Sequence, residues 1–208
     1  MSRLSIDPAE YHRENRCPGC RLTKTLCICD ELPRVEIPFE LVLIQHAQER
    51  ASLSNTGSLA ARVLQPSVVA GYRGAGEKKH ADVLQPPGLL LYPLPGAETL
   101  GPQHLEGCKR LVVLDAGWRQ SRRMFRKLSP LRALKSVTLP PVASRWVLRK
   151  PPAPGMLNTV ESIAAALAAL GLQGAAAELD RVIDDFMPRA LHIARKIRYD
   201  DIDESQST

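Results

Sequence analysis

Nowhere do roughly 20 apolar residues follow one another, the run that a membrane-spanning helix requires, so no such helix is expected. Met1 to Glu14 lack the apolar stretch of a secretory signal, which makes the cytoplasm the expected compartment. No internal repeat is present. Acidic residues are sparse among the arginines around 119–126, and the chain as a whole is basic. Its 28 Lys and Arg against 22 Asp and Glu give a formal charge of +6. Asp200, Asp201, Asp203 and Glu204 gather near the end, so the rest is more basic than the sum. This balance points to a polyanionic partner, nucleic acid foremost.

What is there fits one ordinary core with a small appendage, at 208 residues and 44% apolar. Four short apolar runs have strand character: Phe39 to Ile44, Gly88 to Leu94, Arg110 to Leu114 and Ser136 to Leu139. Between them lie helical periods. From Trp118, the residues Ser121, Met124, Phe125 and Leu128 form one apolar stripe, while Arg119, Arg122, Arg123 and Arg126 lie opposite. A second helix is expected from Thr159 to Leu170, with Asn158 as N-cap, Glu161 completing a capping box and Gly171 as the stop. A last helical stretch, Ala175 to Tyr199, should be kinked or split by Pro188. Apolar strands alternating with helices indicate an α/β domain with a mainly parallel sheet and flanking helices. The Pro-rich stretches at 86–87, 140–141 and 151–154 read as rigid loops at strand ends.

Four of the five cysteines fall within thirteen residues, as Cys17-Pro-Gly-Cys20 and Cys27-Ile-Cys29. Two close thiol pairs on a turn-rich segment offer four thiolates to one tetrahedral ion, the structural geometry of zinc. Two disulfides or a redox dithiol are the competing readings, the first disfavoured without a secretory signal and the second without a βαβ context. Lone Cys108 reads as a small hydrophobe.

Leu111-Val-Val-Leu-Asp115-Ala-Gly117-Trp118-Arg119-Gln120 runs from a strand into a helix through a very tight connection. Residues there project over the carboxyl edge of the sheet, where open α/β folds place ligands. Asp115 is therefore positioned to act as a base or to fix a ligand amine, although Asp also caps helices. Gly117 permits close backbone approach, and Trp118 offers a face for stacking or for the core. His46 ends the first run and suits phosphate binding, proton movement or a structural role.

These residues resemble the Asp-x-Thr-Trp signature of the DTW-domain family, the tRNA-uridine aminocarboxypropyltransferases. Other blocks are similar in the same order: the four cysteines, Gln45-His46, Ser54-Asn55-Thr56-Gly57 with Leu59-Ala60, and Leu90-Leu-Tyr92-Pro93. Arg149-Lys150-Pro151-Pro152 and Leu157-Asn158-Thr159-Val160-Glu161 complete the set. The likeness runs from about Cys17 to Ala169. Gly117 stands where the family has threonine, Ala47 where it has proline after the histidine, and Asn158 where it has serine.

The resemblance implies a SPOUT-like α/β fold with a C-terminal knot and a small N-terminal zinc-binding segment. It divides the chain into that segment (1–36), a catalytic domain (37–199) and an acidic tail (200–208). The implied reaction transfers the 3-amino-3-carboxypropyl group of S-adenosylmethionine to N3 of a uridine in tRNA, in the variable loop, releasing methylthioadenosine. Asp115 and His46 are the expected catalytic residues. Leu90, Tyr92, Leu114, Gly117, Trp118, Asn158 and Thr159 are expected to hold the cofactor, and Cys17, Cys20, Cys27 and Cys29 the zinc. Arg119, Arg122, Arg123, Arg126, Arg145, Arg149 and Lys150 would face RNA phosphates, with a solvated charged face as the alternative. No membrane and no obligate protein partner is expected. Competing functions are a SPOUT-type RNA methyltransferase and a non-catalytic, zinc-stabilised RNA-binding protein.

Overall fold

The computed structural model describes residues 6–53, 55–74, 80, 82–144, 148 and 156–206; for 51 and 197–206 it describes the backbone. At its centre lie strands β1 (Val35–His46), β2 (Leu64–Tyr72), β3 (Leu89–Leu91), β4 (Glu98–Thr99), β5 (Arg110–Asp115) and β6 (Lys135–Thr138). They form one sheet in the order β2-β1-β5-β3-β6-β4, and every described pairing is parallel. The α/β reading therefore holds. Helices α1 (Gly57–Val63), α2 (Trp118–Lys127), α3 (Thr159–Ala169) and α4 (Gln173–Gln206) supply the connections and the outer layers.

Successive residues of a strand point to opposite faces, and here both faces are covered. Leu41 and Leu43 of β1, Leu111 and Val113 of β5 and Val137 of β6 join Leu59, Ile163, Leu167, Leu179 and Phe186 in one core. Their neighbours Val42, Ile44, Val112 and Leu114 join Met124, Leu128, Leu131 and Leu134 in the other. Cys20, Leu22 and Ile28 are buried in the first core, so the N-terminal cysteine segment packs directly on the sheet-and-helix body.

The expected α2 stripe is the one observed: Ser121, Met124 and Leu128 are buried, and the four arginines are exposed. At α3 the Asn158 side chain accepts from Glu161 N at 2.9 Å, while Glu161 Oε2 accepts from Asn158 N at 3.1 Å, completing the expected box. Gly171 follows at φ +86°, the left-handed conformation that ends helices cheaply only at glycine.

Three elements differ from expectation. β2 contains Pro66 and Gly71, which mask its pattern; as an edge strand it tolerates a proline that a central strand would not. β4 has only two residues and carries no periodicity. α4 is not split at Pro188 and continues to Gln206, taking in most of the expected acidic tail. Buried Val182, Ile183, Phe186, Ala190 and Ile193 lie on both sides of that proline and hold the helix on the core. The Arg149-Lys150-Pro151-Pro152 block lies outside the described residues, as do 145–147 and 153–155.

Candidate active site

The carboxyl ends of β3, β5 and β6, the start of α2 and the start of α3 surround a cavity of about 500 Å³. That volume lies within the range of small-molecule sites, and its place above parallel strand ends is where such folds bind ligands. One part of the wall is apolar, formed by Leu91, Pro93, Val137, Leu139, Val142 and Leu157. The polar part holds Glu49, Thr56, Asp115, Ser121, Arg122 and Thr159.

Asp115 is buried at 3% exposure as the last residue of β5. In the parallel register its partner on β1 is Gln45, whose Nε2 donates to Asp115 Oδ2 at 2.8 Å. Thr159, the first residue of α3, donates its hydroxyl to Oδ1 at 2.7 Å. Gly57 opens α1 against the same carboxylate: a Cβ there would lie 2.5 Å from Asp115 Cγ. One side chain thus ties together two strands and two helices.

Gly117, not Asp115, occupies the cap position of α2, and its N–H donates to Gln120 Oε1 at 2.9 Å. A Cβ on Gly117 would sit 2.7 Å from that oxygen, so Gln120 fills the space a threonine side chain would take. Gln120 Nε2 also donates to Gln48 Oε1, linking α2 to the segment after β1. On the apolar side Tyr92 stacks on Phe125, with centroids 4.9 Å apart and planes 11° from parallel. Burial pushes the Tyr92 hydroxyl up, against the pull of Arg122 and Arg126, so it stays a neutral donor at neutral pH.

Of the residues expected to hold the cofactor, the cavity brings together Tyr92, Leu114, Gly117, Trp118, Asn158 and Thr159. Leu90 is fully buried in the second core, because β3 turns Leu91 and not its neighbour toward the cavity wall. His46 lies outside the wall, 5.9 Å from the ring of Tyr72, and its Nδ1 accepts from Gln48 N at 3.2 Å. Among the arginines, Arg122 reaches the cavity, while Arg119, Arg123 and Arg126 are exposed on α2. Arg145, Arg149 and Lys150 lie outside the described residues. Sequence reasoning missed Gln45 as the partner of Asp115, and missed Glu49. The only signal for either was position, at the end of β1 and just beyond it.

The four cysteines are placed to hold a metal ion. Their sulfurs all lie within 4.8 Å of one another. Separations of 3.4 Å (Cys17–Cys27), 3.5 Å (Cys17–Cys29) and 3.7 Å (Cys20–Cys27) approach the edge of about 3.8 Å implied by a tetrahedron with Zn–S near 2.3 Å. Arg21 takes φ +66° and donates its N–H to Cys17 O, which turns the chain so that Cys20 returns to Cys17. Burial raises the thiols, Cys27 to about 11 and Cys29 further. At Cys17 burial is outweighed by hydrogen bonds from the N–H groups of Cys20 and Gly19 and from the Cys27 and Cys29 thiols, which together hold it near 7. A divalent cation removes this mutual opposition by letting all four ionise together, and an all-sulfur closed set fits structural zinc.

A parallel α/β sheet with a cavity over its strand ends and a tetrathiol segment packed on its flank defines an α/β protein with a candidate small-molecule site and a candidate metal site. The DTW domain matches residues 14–191, and the chain belongs to that family. It is 30% identical over 178 residues to tRNA-uridine aminocarboxypropyltransferase 2 of Drosophila melanogaster, covering 80% of this chain and 70% of that one. Against the Mus musculus protein of the same name identity is 32% over 179 residues, covering 80% of this chain but 59% of the relative. The solved structure of the SAM-dependent rRNA:acp-transferase Tsr3 from Vulcanisaeta distributa shares the fold, with TM-score 0.55 and 19% identity over 77% of this chain and 81% of that one. Among the described residues no helix is long and apolar enough to cross a membrane.

Proposed function

We propose that the protein transfers the 3-amino-3-carboxypropyl group of S-adenosylmethionine to N3 of a uridine in tRNA, releasing methylthioadenosine. One observation carries this reading: the signature segment Asp115-Ala-Gly117-Trp118 forms the wall of the cavity, beside an apolar region suited to a nucleoside. The names of the relatives above support it. A new bond forms between N3 and the methionyl γ-carbon as the bond from that carbon to sulfur breaks. The sulfur leaves as a neutral thioether, and the N3 proton must find an acceptor.

In this reading the apolar wall and Tyr92 hold the adenosine part, and Trp118 stacks on a flat ring of cofactor or base. Asp115 is the first candidate for the N3 proton, its carboxylate held in place by Gln45 and Thr159. His46 stands just beyond the cavity; with Nδ1 accepting from Gln48, its Nε2 carries the proton and suits a phosphate contact. The exposed arginines of α2 would track the RNA backbone. A tRNA substrate fits the expected cytoplasmic compartment.

The test is transfer of label from the amino-acid moiety of S-adenosylmethionine to tRNA, with the nucleoside product identified by mass. Methylthioadenosine as by-product supports the proposal. Adenosylhomocysteine would mean methyl transfer, and no incorporation into tRNA, with or without incorporation into ribosomal RNA, would overturn the substrate.

A further inference from the structure

Asp115 has company in the cavity. Glu49 is a second carboxylate in the wall, 7% exposed, on a short turn just after β1. Its Oε1 lies 3.8 Å from where a Cβ on Gly117 would stand, so it borders the cavity beside the turn that leads into α2. Arg122 is the cationic side chain of the described wall.

Resting on the reading above, we propose that Glu49 binds the α-ammonium group of the methionyl moiety and so selects ligands that carry the amino-acid tail. The ligand of that reading brings two positive charges, the sulfonium and the ammonium, and one carboxylate. In that reading Asp115 is the candidate for the N3 proton. The sulfonium charge vanishes during transfer, so an anion held against it would stabilise the ground state more than the transition state and slow the reaction. The ammonium charge is unchanged throughout. An anion paired with it strengthens binding and leaves the chemical step alone, a uniform-binding role that fits a buried carboxylate in the polar part of the wall. Arg122 then complements the tail carboxylate.

Three ligands separate the possibilities when binding is measured by calorimetry on the wild type and Glu49→Gln. S-adenosylmethionine carries both cations, adenosylhomocysteine keeps only the ammonium, and methylthioadenosine has neither. The expected result is a loss of about 10- to 100-fold for the first two and none for methylthioadenosine, the usual range for a charged hydrogen bond. Glu49→Asp, which keeps the charge, should recover part of the loss. A loss confined to S-adenosylmethionine would put Glu49 at the sulfonium and overturn the proposal. Equal loss for all three ligands, or none for any, would overturn it as well. Failure of the wild type to bind any of the three would instead refute the functional reading itself.

Discussion

Gln45 and Asp115 face each other across neighbouring parallel strands, and a 2.8 Å hydrogen bond joins their side chains. With Thr159 donating to the other oxygen, Asp115 accepts at both ends of its carboxylate. Asp115→Asn puts an NH₂ where one of these donors must find an acceptor, so stability should fall by about 1–3 kcal/mol. Transfer should fall by about 10²-fold or more in single turnover with cofactor affinity little changed, if this carboxylate takes the N3 proton. Thr159→Val is the control, since it removes a hydrogen bond and keeps the base. Equal loss of rate in that variant would make Asp115 a scaffold.

Gly57 stands directly against the Asp115 carboxylate. A methyl group there meets Asp115 Cγ and Oδ2 at 2.5 Å, and the hydrogen bonds to Asp115 leave that carboxylate little room to yield. Gly57→Ala should therefore cost about 1–3 kcal/mol, as overpacking does, even though alanine favours helices. Chemical denaturation beside the transfer assay checks this; a stabilised, fully active variant would show that Asp115 moves freely.

The exposed arginines of α2 should give RNA binding its salt dependence. Arg119 and Arg123 are exposed there, and only Arg122 also borders the cavity. Arg119→Ala with Arg123→Ala should weaken binding to any tRNA and flatten the slope of log K against log salt by about 2, while cofactor binding is untouched. An unchanged slope would mean that this face looks at solvent.

Zinc should be present at one ion per chain in reduced protein. Because Cys20, Leu22 and Ile28 are buried in the same core as the sheet, removing the ion should lower the melting temperature of the whole domain and not merely loosen its N-terminal segment. Elemental analysis and melting curves with and without chelator check both halves. Metal-free protein with an unaltered melting curve would rule the site out.

Much of this protein is written in local patterns. Phe39 to Ile44 and Arg110 to Leu114 read as strands because residues buried on both faces make continuous apolar runs. The Asn158–Glu161 box and the α2 stripe are likewise contained in a few consecutive residues, and the four thiols announce a metal by spacing alone. Other features depended on which strands became neighbours and in what register. The pairing of β1 with β5 sets Gln45 opposite Asp115, and the turn after β1 carries Glu49 to a cavity walled largely by residues from Leu91 onward. Strand alternation turned Leu90 into a core and Leu91 toward the ligand space. Periodicity and capping record which way a residue faces along its own element, whereas neighbours brought together by long loops leave no trace in a single sequence, because their contact is made only when the cores on both sides of the sheet close.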